Sequence, residues 1–173
     1  GIICSQRCNN LTITNNTSTN NTGNGIMLHR NTNNSLVENN VLNNNTDSGI
    51  AIFDSHSNQI LNNEAKYNGK GIRLSVGSSN NVIENNNFSG NSKYGLYFYK
   101  GSNIPTSGDG RLKSNTFRNN IINTNVSVAA KIQQADSNIF ESNEFTGNTS
   151  YVAEIQDSNN NVFKKNTLAG NTY

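Results

Sequence analysis

Tryptophan is absent from this 173-residue chain, proline and methionine occur once each, and cysteine and histidine twice each. Charged residues make up 14% and apolar residues 32%, both below what a compact globule ordinarily carries. Each shortage excludes something. Two histidines, two cysteines and one methionine that do not cluster leave no ligand set for copper or zinc, and no metal or cofactor is expected. No stretch approaches the ~20 apolar residues of a membrane-spanning helix, so no membrane insertion is expected. The net charge of +2 is spread over scattered Lys and Arg without a basic run or an aromatic–basic RNA motif, which argues against a nucleic-acid partner. Helix signals are missing. Cys4 and Cys8 fit a local disulfide in an oxidising compartment or two free thiols in a reducing one.

What the chain has in excess is asparagine, at 39 positions. So polar a composition is shared with disordered chains, but a fixed period argues for a repeat architecture. One ladder of asparagines runs Asn16, Asn40, Asn63, Asn86, Asn120, Asn143 and Asn166, and a second lies five residues further on, at Asn21, Asn45, Asn68, Asn91, Asn125, Asn148 and Asn171. The spacings are 24, 23, 23, 34, 23 and 23.

Three short strand-like segments fall within each repeat. The first begins at Gly1, Gly25, Gly49, Gly71, Gly95, Ala129 and Val152, and these positions define coils 1 to 7. In coil 2 the next residue, Ile26, and the one two further on, Leu28, are apolar, and the other coils repeat this alternation, the period of a strand with one buried face. A second segment contributes Ile13, Val37, Ile60, Ile83, Phe117, Phe140 and Phe163. A third contributes Ser18, Leu42, Ala65, Phe88, Ile122, Phe145 and Leu168. The pattern predicts an all-β, right-handed parallel β-helix of about seven coils of ~23 residues, with equivalent residues stacked ~4.8 Å apart along the axis. Asn suits such coils because it tolerates left-handed turns and because inward amides can bond from coil to coil, as in cross-β stacks.

The 34-residue step marks an insertion in coil 5, at about 104–114; a loop leaving a regular solenoid often carries function. Residues 1–173 read as one domain. The chain opens and closes at coil boundaries with no end caps, which solenoids require, and is therefore expected to be a piece of a longer protein.

Residues between the buried ones of the first strand face outward. One column is Ile3, Met27, Ala51, Arg73, Tyr97, Lys131 and Glu154; the next is Ser5, His29, Phe53, Ser75, Tyr99, Gln133 and Gln156; the strand ends at Gln6, Arg30, Asp54, Val76, Lys100, Gln134 and Asp157. A basic, aromatic stripe suits an extended acidic polymer, because Arg and Lys pair carboxylates and tyrosines pack on sugar rings. Arg73, Tyr97, Tyr99, Lys100, Lys131 and Asp54 are the expected substrate-binding residues, and acidic polysaccharide is the expected partner. His29 and Arg30 are the candidate catalytic pair. Removing the proton α to a uronate carboxylate needs a base, His29, and a cation to stabilise the charge that develops, Arg30. His56 lies near the turn and is expected to be surface. An ice-binding array would need an unbroken threonine column, and Thr22, Thr46, Thr149 and Thr172 form only an interrupted one.

The stretch GIMLHRNTNNSLVENNVLNNNTDSGIAIFDSHSNQILNNEAKYNGKGIRL resembles the parallel β-helix of periplasmic mannuronan C5-epimerases. It also resembles the wider carbohydrate-binding and sugar-hydrolase repeat group, which includes copper-site assembly proteins. The resemblance covers most of coils 1 to 4 and implies polyuronate binding, with C5-epimerase or related lyase activity. Those epimerases carry an Asp-Pro-His-Asp motif whose His is the base, followed one coil later by a catalytic Arg. Arg30 matches that Arg in register, since the family's HGIIISR aligns with NGIMLHR here. The family His falls on Ser5, within Ile3-Cys4-Ser5-Gln6, so the motif is missing and catalysis would have to use His29 from the next coil. The alternative is a non-catalytic carbohydrate-binding or cell-surface structural module.

Nine Asn-x-Ser/Thr sequons occur, at Asn10, Asn15, Asn16, Asn20, Asn33, Asn44, Asn87, Asn125 and Asn148. With the sparse cysteines and the polysaccharide resemblance they point to an extracellular or cell-envelope setting and a glycoprotein. Sequons on the inward ladders, such as Asn16, are expected to be unavailable.

Overall fold

A computed structural model describes all residues, 1–173. Every regular element is a strand, and every strand pair is parallel. The first strands, Ile2–Cys4, Ile26–His29, Ser48–Phe53, Lys70–Ser75, Tyr94–Tyr99, Ala130–Gln133 and Ala153–Gln156, stack in that order into one seven-stranded sheet. The second strands, from Thr12–Thr14 to Val162–Lys164, form another sheet of seven. On the third side Thr17, Val41, Glu64, Asn87, Ile121 and Glu144 are joined by single bridges, and full strands appear only at Glu144–Thr146 and Thr167–Ala169. Register follows the repeat: Ile26 pairs with Ile50, Ile50 with Ile72, and Ile72 with Leu96.

The inward columns make one continuous core. Ile26, Leu28, Ile50, Ile52, Phe88, Phe117 and Phe140 are fully buried. Phe117 stacks on Phe140 at 5.3 Å between ring centroids, and Phe140 on Phe163 at 4.5 Å. In coil 7 Ile155 and Leu168 are exposed where their counterparts in the earlier coils are buried.

Three asparagine ladders, not two, run through the interior. The third comprises Asn58, Asn81, Asn115, Asn138 and Asn161, with Ser35 below it. It sits at the corner before the second strand, and Ser35 and Leu11 in the first coils obscure its period. The three ladders share one bond, a side-chain oxygen accepting the backbone N–H of the rung in the coil before, and most rungs add amide bonds, although the Asn68 amide nitrogen has no partner. The side-chain oxygen of Asn86 accepts the Asn63 backbone N–H at 2.8 Å and the Asn63 amide at 3.0 Å, while the Asn86 amide nitrogen lies 2.8 Å from Ile60 O and 3.0 Å from Glu84 O. Such satisfaction is what a buried amide requires. The left-handed conformation belongs to the residue before each rung: Asn39, Asn62, Asn85 and Asn119 before the first ladder, and Asn44, Tyr67, Gly90 and Thr124 before the second.

The ladders skip the insertion, Asn81 bonding Asn115 and Asn86 bonding Asn120 across 34 residues. The loop itself lies along the solenoid as a strap over the turn that ends the first strand. Its Thr106 N–H donates to Asp54 Oδ2 at 2.9 Å, and the Thr106 hydroxyl is 3.1 Å from both Asp54 Oδ1 and Asn31 Oδ1. At its other end Arg111 grips the Asp136 carboxylate with two nitrogens and donates to Asp157 O at 2.6 Å. Coils 2 and 7 are five steps apart, about 24 Å at ~4.8 Å per step, so one loop ties nearly the whole stack.

Candidate functional site

The outward face of the first sheet brings the expected columns together in register, with His29 paired to Phe53, Phe53 to Ser75, and Ser75 to Tyr99. His29 Nδ1 lies 2.7 Å from the carbonyl oxygen of Ser5. A carbonyl only accepts, so Nδ1 carries the proton and Nε2 is left with its lone pair in the neutral ring. The imidazole packs on Phe53 with centroids 4.7 Å apart. Arg30 is the left-handed turn residue at the strand's end, with φ 48° and its N–H bonded to Phe53 O at 2.8 Å. Its guanidinium carbon sits 5.4 Å from the centre of the same Phe53 ring, within cation–π range. Phe53 thus supports both candidate catalytic side chains. Arg30 has no carboxylate within 4.0 Å. It opens into a hollow of about 180 Å3 with Gln6, Arg7, Asn31 and Thr106.

The remaining expected residues divide. Arg73 Nη1 is 3.3 Å from Asp47 Oδ2, and Lys70 bonds the other oxygen of that carboxylate. Burial works to raise the Asp47 carboxyl, but Lys70 and Arg73 outweigh it and hold it below the ordinary range. Lys131 Nζ bonds Glu154 Oε1 at 2.9 Å, which raises the lysine's pKa against the opposing effect of desolvation. Arg73 and Lys131 are therefore committed to neighbours on the same face. Tyr97 stacks with Tyr94 at 5.1 Å and with Tyr99 at 5.5 Å, so the expected sugar platforms spend ring faces on one another and form a ridge across coil 5. Burial, followed by the two neighbouring tyrosines, raises the Tyr97 hydroxyl above its usual value. Lys100 pairs with no carboxylate, and its stem packs on the strap at Gly110.

Asp54 departs most from expectation. It is fully buried, with both oxygens bonded to Thr106, so its role in the structure is to anchor the strap. His56 is half-buried rather than surface: its Nε2 lies 3.9 Å from Asp54 Oδ1 without a hydrogen bond, and burial lowers its pKa against the pull of Asp54. Cys4 and Cys8 are joined in a disulfide. Sequence reasoning missed Asp47, Phe53 and Arg7. Asp47 precedes the strand columns, Phe53 reads as one more outward residue, and Arg7 lies one position beyond the column that was counted.

The family model for the right-handed β-helix region matches residues 1–110 and 104–173. Among solved structures, the periplasmic alginate epimerase AlgG superposes with a TM-score of 0.78 at 15% identity, covering 98% of this chain and 46% of AlgG. The A-module of the Azotobacter vinelandii mannuronan C-5 epimerase AlgE4 superposes with a TM-score of 0.73 at 18% identity, covering 94% of this chain and 54% of that one. The chain thus spans about half the length of the epimerases it matches, and at such identity the likeness is one of fold. No curated protein matches in sequence. Matched over its whole length, the chain belongs to the right-handed β-helix family.

Proposed function

We propose that the outward face of the first sheet binds an acidic polysaccharide of the polyuronate class, with Arg30 as the principal carboxylate partner. The observation that carries this reading is the Phe53-centred pair: an Arg with no carboxylate within 4.0 Å beside a His whose Nε2 is free. Arg30 binds a uronate carboxylate, and Lys100 contacts a neighbouring unit. The Tyr94–Tyr97–Tyr99 ridge offers ring edges to the passing chain. Arg73 and Lys131 join only by exchanging a protein carboxylate for a sugar one. The similarity to two alginate epimerases supports a polysaccharide partner. The setting is extracellular or at the cell envelope. Asn10, Asn15, Asn20 and Asn44 are the exposed sequons able to carry glycans, whereas Asn125 and Asn148 are buried rungs.

A second reading adds catalysis. His29 Nε2 takes the C5 proton while Arg30 stabilises the charge that spreads into the carboxylate. The electron pair then either accepts a proton from the opposite side, giving the C5 epimer, or forms the C4–C5 double bond as the C4–O bond breaks and the departing oxygen takes a proton from the His29 imidazolium or water. Ile3, Met27 and Phe53, outward neighbours of the pair, bear no second acid–base group for the opposite side, so binding alone is the simpler function. Proton NMR of polymannuronate, polyguluronate and pectate incubated with the protein separates the two: C5 exchange or unsaturated ends establish catalysis, and His29→Ala should abolish it while sparing binding. For binding, Arg30→Ala should weaken affinity roughly tenfold and Arg118→Ala, which removes a charge from the second sheet, by far less. Equal effects would mean that only net charge matters. Added salt should weaken the complex, since exposed charges are screened within ~8 Å at physiological ionic strength.

A further inference from the structure

Of the 13 Lys and Arg side chains, nine lie within 4.0 Å of a carboxylate, leaving Arg7, Arg30, Lys93 and Lys100. Two of those four, Arg7 and Arg30, line the same hollow of about 180 Å3, between coils 1 and 2 on the turn edge. At ~30 Å3 per water it has room for a carboxylate, the ring carbon that bears it and a few waters. The backbone holds Arg7 and Arg30 together, the Arg7 N–H donating to Arg30 O at 2.9 Å, with both residues in the left-handed conformation.

Three independent parts of the chain converge to shape this hollow. The Cys4–Cys8 disulfide closes the loop that carries Gln6 and Arg7. Phe53 in the next coil packs against Arg30. Thr106, tethered to Asp54 and Asn31, brings the strap to its rim. The acidic side chain of the adjacent coil, Asp54, is fully buried, accepts from Thr106 at both oxygens and forms no ion pair within 4.0 Å with either Arg7 or Arg30.

We infer that Arg7 and Arg30 form a two-guanidinium subsite for one uronate carboxylate, positioned by the disulfide loop and bounded by the strap. The inference rests on the polyuronate reading of the face and adds a subsite at coils 1 and 2. Two forked guanidiniums recognise a planar carboxylate with directed bonds, and a bridge that orders Arg7 beforehand reduces the ordering cost of binding.

The test is titration of the whole chain with galacturonate, galactose and inorganic phosphate, following the backbone amide resonances of Arg7 and Asn31, with polymannuronate binding measured in parallel. Galacturonate should shift both resonances and galactose neither. Arg7→Ala should weaken galacturonate roughly tenfold, Arg7→Lys should restore part of the loss, and reduction of Cys4–Cys8 should weaken binding even where circular dichroism shows the coils intact. Undiminished galacturonate binding in Arg7→Ala overturns the subsite, and polymannuronate binding that persists in that variant leaves the face as proposed. Phosphate binding as tightly as galacturonate overturns the carboxylate assignment. Galacturonate binding without polymannuronate binding upholds the subsite and removes the extended face.

Discussion

Replacing Asn86 by Asp changes one atom of a buried rung without opening a cavity. The retained oxygen still accepts the Asn63 N–H and amide. The amide nitrogen, which faces Ile60 O at 2.8 Å, Glu84 O at 3.0 Å and Asn120 Oδ1 at 3.1 Å, becomes an oxygen facing three acceptors. An ionised Asp there loses two donated bonds, each about 1–3 kcal/mol when the remaining group is buried and unsatisfied. A protonated Asp restores one of them. Burial therefore pushes its folded pKa above the unfolded value of about 3.9. The folded state then holds the proton more tightly than the unfolded state, so stability is greatest at low pH and falls as pH rises toward the folded pKa, by about 1.4 kcal/mol per unit. Urea unfolding at pH 4.5 and 7.5 should show a loss of about 1–3 kcal/mol at the lower pH and a clearly larger one at the higher, against the wild-type profile. Equal losses at the two pH values, or a total below about 1 kcal/mol, would refute the ladder as a buried donor–acceptor chain.

Phe140→Ala removes the middle of the stack with Phe117 and Phe163, a side chain with no exposure, and should cost about 3–5 kcal/mol in urea unfolding; a loss below about 1 kcal/mol would show that the column is not core. The Arg111 guanidinium beside Asp136 holds that carboxyl at about 2. Its contribution to stability is present above the unfolded value of about 4 and is lost as pH falls toward 2. Arg111→Ala should therefore shrink the acid limb of the stability profile and speed proteolysis within 104–114; an unchanged acid limb and cleavage rate would mean that the strap is not held at that end.

The solenoid was legible in the sequence because its long-range contacts repeat its own period. Once Asn63 and Asn86 are 23 residues apart in a ladder, the neighbour of every residue in a column is known, and with it the core and the outward face. Even the missed third ladder obeys the same rule, hidden only where Ser35 and Leu11 stand in for asparagine. The state of the candidate site followed no such period. Thr106 meets Asp54 across 52 residues and Asn31 across 75, distances set by where an irregular strap lies. Whether Arg73 is free or paired depends on Asp47, a residue outside the strand columns. Repetition determines which residues share a face, because hydrogen-bond register is common to all coils. Only the tertiary structure decides which of them remain unpaired, because that is settled by side chains and a loop whose positions the repeat does not dictate.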